Sequence, residues 1–204
     1  MNVGSLYYSD SFFADMFGAK HTPITCVDDL DQIDLLVFWG GSDVTPKYYG
    51  EKDVKAVGTD PDRDKFEKLI YDAAALAIPM LGICRGAQFL CVMNGGKLWQ
   101  HVDGHGRDHT VKMVDGSIFT TTSTHHQMMR PTAEMEILGT TTTALSHRKI
   151  SESGETLDAQ LEPEIVYAPL SNSLMIQGHP EYSSASRDFV FKTRQLINKY
   201  LGVK

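Results

Sequence analysis

The sequence predicts a doubly wound α/β domain with a mostly parallel central sheet, in one unit over residues 1–204. Three observations lead there. Asp34-Leu35-Leu36-Val37-Phe38-Trp39 and Ile78-Pro79-Met80-Leu81-Gly82-Ile83 are continuous apolar runs, the pattern of strands buried on both faces. A helical pattern lies between them, which completes a strand, helix, strand unit. Each run also closes on a glycine-bearing turn, Gly40-Gly41 in one case and Cys84-Arg85-Gly86 in the other. The carboxyl ends of such strands are where doubly wound sheets place their sites.

The helix between the runs is marked by Asp60-Pro61-Asp62 at its start and by Phe66, Leu69, Ile70 and Ala73 or Ala74 at helical spacing up to Leu76. A second helix is expected from Gly86 to about Met93, with Phe89, Leu90 and Met93 inward, until Asn94-Gly95-Gly96 stops it. The stretch from Thr110 to Thr124 is rich in threonine and alternates, as antiparallel strands near an edge do. Glu164 to Pro169 and Ser173 to Gln177 read as a further strand pair. Ser184 to Leu201 reads as a closing helix, with Phe189, Phe191, Leu196 and Ile197 available for packing. Ser146 to Pro163 is polar and carries only a weak element signal.

The chain's 204 residues, 42% hydrophobic and 22% charged, suffice for one sizeable core and are short for two. A net charge of -7 without any run of Lys or Arg gives no attraction to phosphate backbones or anionic lipid, so neither nucleic acid nor membrane is an expected partner. The N-terminus lacks the basic start and apolar core of a signal peptide, and no apolar run reaches membrane-spanning length. A soluble cytoplasmic protein is expected. Cys26, Cys84 and Cys91 are odd in number and have no CxxC spacing, which argues for reduced thiols over disulfides or structural zinc.

Gly82-Ile83-Cys84-Arg85-Gly86 has the form G-x-C-x-G, directly after a strand and directly before a helix. That is a nucleophile elbow with cysteine in place of serine: the glycines permit a tight turn, and the helix N-terminus favours thiolate over thiol. Gln177-Gly178-His179-Pro180-Glu181 supplies a matching base and carboxylate. Residues two apart in extended backbone project to one side, so His179 and Glu181 are expected to share a pocket with Cys84. Gly40-Gly41-Ser42 offers backbone N–H groups which, with that of Arg85, would bind a developing oxyanion.

This combination resembles the class I glutamine amidotransferase superfamily, whose triad runs Cys, His, Glu along the chain on a flavodoxin-like fold. A finer resemblance is to its γ-glutamyl hydrolase branch, the peptidase C26-like enzymes that include γ-glutamyl-γ-aminobutyrate hydrolases. It rests on Gly40 to Glu51, Arg63-Asp64-Lys65-Phe66-Glu67, Gly82 to Gln88, Gly95 to Gln100 and His125-His126-Gln127. The resemblance implies Cys84 as nucleophile, His179 as base, Glu181 as orienting carboxylate, and an oxyanion hole from Gly40, Gly41 and Arg85. It further implies substrate contacts from Gln88 and from a loop carrying His126 and Gln127, a thioester intermediate and no cofactor. Gly178 departs from the branch, which usually has Trp there, and is similar to the glutaminase part of carbamoyl-phosphate synthetase.

Two further patterns admit bland readings. Arg63 and Glu67, at i and i+4, fit an exposed helix ion pair as well as a part of the motif. His125 and His126 invite a metal, but adjacent histidines in extended backbone point to opposite faces and no third Cys or carboxylate is suitably spaced, so no metal is expected. Asp103, His105, Arg107, Asp108 and His109 form a polar loop cluster whose spacing identifies no role. The leading functional reading is a hydrolase that cleaves a small-molecule γ-glutamyl amide. The alternatives are a glutaminase subunit that passes ammonia to a separate synthase and, below both, a non-catalytic binding module.

Overall fold

A computed structural model describes residues 1–7, 18–157 and 159–203. In chain order its first strands are β1 (Asn2–Ser5), β2 (Lys20–Pro23), β3 (Leu35–Phe38) and β4 (Met80–Ile83), with helix α1 (Pro61–Ala74) between β3 and β4. Helix α2 (Arg85–Met93) follows, then β5 (Lys97–Trp99), β6 (His101–Val102), β7 (His109–Met113), β8 (Ile118–Thr121) and β9 (Met128–Arg130). The chain ends with β10 (Glu136–Thr141), β11 (Lys149–Ser151), β12 (Gly154–Thr156), β13 (Pro163–Ala168), β14 (Ser173–Ile176) and α3 (Arg187–Leu196).

Nine of the described strands form one sheet in the order β2-β1-β3-β4-β14-β13-β10-β7-β8. From β2 to β14 neighbours run parallel. From β14 to β8 they run antiparallel. The apolar runs explain the parallel part: every residue of β3, β4 and β14 is buried, because helices cover both faces. On one face Ile70 and Ala74 of α1 and Phe89 and Leu90 of α2 pack on Leu36, Phe38 and Met80. On the other, Phe189 and Leu196 of α3 pack on Leu81, Ile83 and Leu174.

Two expected core positions are outside. Leu69 is 55% exposed and Phe191 63%, because each lies off the stripe that its helix turns to the sheet. In α1 that stripe is Arg63, Asp64, Glu67, Ile70, Tyr71 and Ala74, and in α3 it is Phe189, Thr193 and Leu196. The weakly marked stretch from Ser146 to Pro163 holds β11 and β12, and β11 pairs with both β12 and β6 in a small separate sheet. Strands this short are too brief to show an alternation.

Register positions the site. Phe38 stands opposite Gly82, and Ile83 stands opposite Ile176. The chain therefore leaves β3, β4 and β14 side by side at one edge of the sheet, and the three turns singled out from the sequence meet there.

Candidate active site

Cys84 is the single residue between β4 and α2, with φ 53° and ψ -110°. A non-glycine residue in such a conformation costs about 1–3 kcal/mol and persists only where its surroundings fix it. The surroundings do so here. The Cys84 N–H donates to the Ile176 carbonyl at 2.9 Å, and the Cys84 carbonyl accepts from the Gln88 N–H at 3.1 Å. Both flanking glycines are required by close approach: a Cβ on Gly82 would lie 2.5 Å from the Gly86 carbonyl oxygen, and one on Gly86 would lie 2.0 Å from that of Phe38.

His179 follows β14, and its Nδ1 lies 2.7 Å from Glu181 Oε1. The same imidazole lines one cleft with Cys84. Burial works against a charged ring, but Cys84 and Glu181 outweigh it and push the His179 pKa up to about 10. Thr122 fixes the His179 backbone, and the Tyr182 ring stacks on the imidazole at 4.2 Å between centroids. Gly178 has no room for a side chain, since a Cβ there would lie 2.0 Å from Thr121 Oγ1 and 2.7 Å from the Thr122 carbonyl oxygen. The absence of Trp at this position follows from that packing.

The third turn lies against the imidazole. A Cβ on Gly40 would come 3.0 Å from His179 Cε1, while Gly41 has φ 138° and a Cβ there would lie 2.2 Å from Arg63 Nη1. Arg63 decides between its two sequence readings. Its Nε bonds Glu67 Oε1 at 2.8 Å, and its Nη2 donates to the Trp39 carbonyl at 3.0 Å. The Arg85 guanidinium pairs with both Glu67 and Asp64. Arg63 is 9% exposed and Asp64 and Glu67 are fully buried, so this is an interior four-charge network and not a surface pair. It ties the Gly40-Gly41 turn to the elbow helix. The Arg85 side chain is spent on this network, which leaves only its backbone N–H for an oxyanion.

These residues border a cleft of about 320 Å³, lined among the described residues by Trp39, Gly40, Gly41, Cys84, Thr124, His179, Glu181 and Tyr182. Gln88, His126 and Gln127 are not in that lining. The buried Gln88 amide donates to the Gln127 carbonyl at 3.0 Å, and His126 Nε2 sits 3.1 Å from Asp43 Oδ1. The bond to Asp43 raises the His126 pKa against the opposing effect of burial.

Trp39, Thr122, Thr124 and Tyr182 were not singled out from the sequence. Two of them had a signal, since Trp39 ends the β3 run and Tyr182 directly follows the His-Pro-Glu turn. Thr122 and Thr124 are indistinguishable by pattern from the threonines around them.

The fold is that of the class I glutamine amidotransferases. It superposes on a glutamine amidotransferase from Thermotoga maritima with a TM-score of 0.61 at 13% identity, covering 100% of this chain and 86% of that one. The chain belongs to the Peptidase C26 family, whose model matches residues 16–159. That span includes Cys84 and both glycines of the first turn, and it ends before His179 and Glu181. A glutamine amidotransferase-like protein of Lactococcus lactis is 30% identical over 200 residues, 89% of this chain and 84% of its own length. The carbamoyl phosphate synthase small chain of Wigglesworthia glossinidia brevipalpis is 31% identical over 124 residues, 59% of this chain but 29% of that protein. Among the described residues no helix is long and apolar enough to cross a membrane.

Proposed function

We propose that the chain hydrolyses a γ-glutamyl amide bond through a thioester on Cys84. The observation that carries this reading is one cleft lined by the elbow cysteine, His179 and Glu181, with the imidazole held by Glu181 at 2.7 Å. As Cys84 Sγ attacks the γ-carbonyl carbon, the proton already rests on His179, which gives it to the departing amine as the C–N bond breaks. Water, deprotonated by the same ring, then attacks the thioester, and glutamate leaves as the thiol is restored. Glu181 holds the ring and supports its charge without exchanging the proton. Backbone N–H groups of the Gly40-Gly41 turn and of Arg85 receive the oxyanion. A cleft of about 320 Å³ is at the small end of ligand sites and suits a single amino-acid head group.

The test is turnover of a panel of γ-glutamyl amines and free glutamine by the isolated chain. Release of glutamate by wild type and none by Cys84→Ala, with both folded, supports the reading. Equal rates in the two would sink it.

A second reading, a glutaminase subunit serving a separate synthase, is favoured by the similarity to the carbamoyl phosphate synthase small chain. It predicts slow glutamine turnover that rises when the partner polypeptide is added.

A further inference from the structure

Behind the cleft, on the antiparallel half of the sheet, four side chains from three segments converge on one point. Glu164 of β13 places its Oε1 3.3 Å from His105 Nδ1, 3.1 Å from His109 Nε2 and 3.8 Å from His125 Nε2. The side chains of His105, His125 and Glu164 are at most 1% exposed, and that of His109 is 7% exposed. Ligand atoms of His105, His125 and Glu164 all lie within 4.8 Å of one another, and His109 stands outside that group, joined to it through Glu164 Oε1. This corrects the expectation that His125 has no further ligand available. His126 does point elsewhere, to Asp43, but chain topology brings His105, His109 and Glu164 to His125 across long sequence separations that spacing does not reveal.

The chemistry of the inward atoms points to a cation. The carbonyl of Arg107 accepts at 3.1 Å from His109 Nδ1, and that of Gln127 accepts at 2.9 Å from His125 Nδ1. A carbonyl only accepts, so each Nδ1 carries the proton and each Nε2 in the neutral ring is a bare lone pair. Both lone pairs face Glu164 Oε1, itself an acceptor. None of His105 Nδ1, His109 Nε2, His125 Nε2 and either Glu164 oxygen has a hydrogen-bond partner, although all are buried. His105 lies between Glu162 and Glu164 and offers them its N–H, whereas the Nε2 lone pairs of His109 and His125 meet the Glu164 carboxylate as acceptor against acceptor, a costly arrangement in an interior that a bound cation relieves.

The dimensions also fit. Ligands about 2.0–2.1 Å from a tetrahedral Zn²⁺ stand about 3.3 Å from one another, the scale of the distances from Glu164 Oε1 to His105 Nδ1 and His109 Nε2. Backbone carbonyls on the far nitrogens of two imidazoles are the outer support that metal-bound histidines ordinarily have.

We propose that His105, His125 and Glu164, with His109 drawn in through Glu164 to complete the shell, form a closed, four-ligand structural site for a divalent cation of the zinc type. Three imidazoles and one carboxylate suit Zn²⁺ over Mg²⁺ or Ca²⁺, and a full protein shell leaves no open position for catalysis. Its purpose is set by the segment between β8 and β9. Thr122 there holds His179, Ser123 donates its hydroxyl to the His105 carbonyl at 2.5 Å, Thr124 lines the cleft and His125 is a ligand. A cation at this point pins the cleft wall to the sheet. The site does not depend on the substrate proposed above.

The experiment uses the full chain, stripped with a strong chelator and titrated with Co²⁺ and then Zn²⁺. One equivalent of Co²⁺ should give the intense visible bands of tetrahedral coordination, Zn²⁺ should displace it, and metal should raise the thermal midpoint. Glu164→Gln and His109→Ala should weaken Co²⁺ binding about 100-fold or more, while the exposed His147→Gln leaves it unchanged. Should either cluster variant fail to fold, the wild-type titration alone decides. No tetrahedral bands and no effect of Zn²⁺ on the midpoint would overturn the site and leave the cluster as a proton-sharing network. Bands that persist in both variants or vanish in His147→Gln would overturn the ligand assignment.

Discussion

Thr122 holds both backbone groups of His179: its hydroxyl donates to the His179 carbonyl at 2.7 Å and accepts from the His179 N–H at 3.0 Å. One side chain thus satisfies two backbone groups in a buried strand-end turn. Thr122→Val keeps the shape and removes both bonds. Each orphaned buried group costs about 1–3 kcal/mol, and the imidazole loses its fixed approach to Cys84. Denaturant unfolding should show a loss in that range or above, and kcat should fall more than KM rises. Wild-type kcat in Thr122→Val would mean that the β14 register alone positions His179.

Backbone strain at Cys84 separates from its chemistry in a pair of variants. Both Cys84→Ala and Cys84→Gly lose the thiol and should lose turnover. At φ 53° only glycine is free of the steric cost, so the glycine variant should unfold later than the alanine variant, by about 1 kcal/mol. Equal stabilities would show the elbow to be relaxed. Cys91, fully buried and pushed up to about 12 by burial, should stay unlabelled by a glutamine-analogue electrophile that modifies Cys84.

The interior network predicts a cost far above that of a surface pair on the same helix. Glu67→Gln leaves Arg63 and Arg85 short of a buried counter-charge, a change worth about 3–5 kcal/mol. Lys68 and Asp72, also at i and i+4 but about half exposed, are an internal control whose removal should cost about 0.3–0.5 kcal/mol. Urea titration of Glu67→Gln beside Asp72→Asn checks it. Similar losses in both would return Arg63 and Glu67 to the surface-pair reading.

The parallel strands, the elbow and the His-Pro-Glu turn were legible because each is a local pattern: an apolar run, then glycines or a helix. Their convergence was legible as well, since parallel strands in register end together. What sequence spacing does not carry is contact across the antiparallel half. His105 and Glu164 are 59 positions apart by number, and their meeting follows from the order β13-β10-β7, which no run of residues announces. Arg63 and Glu67 failed to declare themselves for a related reason. A helix stripe of Arg, Asp and Glu reads as solvent-facing until Arg85 is known to lie beneath it.

The pH dependence follows from the His179 imidazole. Burial lowers its pKa, while Cys84 and Glu181 raise it further, to about 10. In the proposed reaction the imidazolium must give its proton to the leaving amine, so kcat/KM should fall as pH rises through that value. Glu181→Gln removes one of the two raising partners and leaves the burial in place, so the alkaline limb should move to lower pH. Stability follows the same sign: a raised pKa contributes fully below the ordinary value of 6.5 and is lost as pH climbs toward about 10, a slope that should flatten in Glu181→Gln. Turnover near neutrality should fall substantially in this variant, yet remain above that of His179→Ala and well above that of Cys84→Ala, because the thiol and the imidazole both remain in the cleft. Matched pH-rate profiles and pH-dependent unfolding, with circular dichroism to confirm the fold, read all of these. An alkaline limb that stays in place in Glu181→Gln would reduce the triad to a Cys-His dyad, with Glu181 a bystander 2.7 Å away.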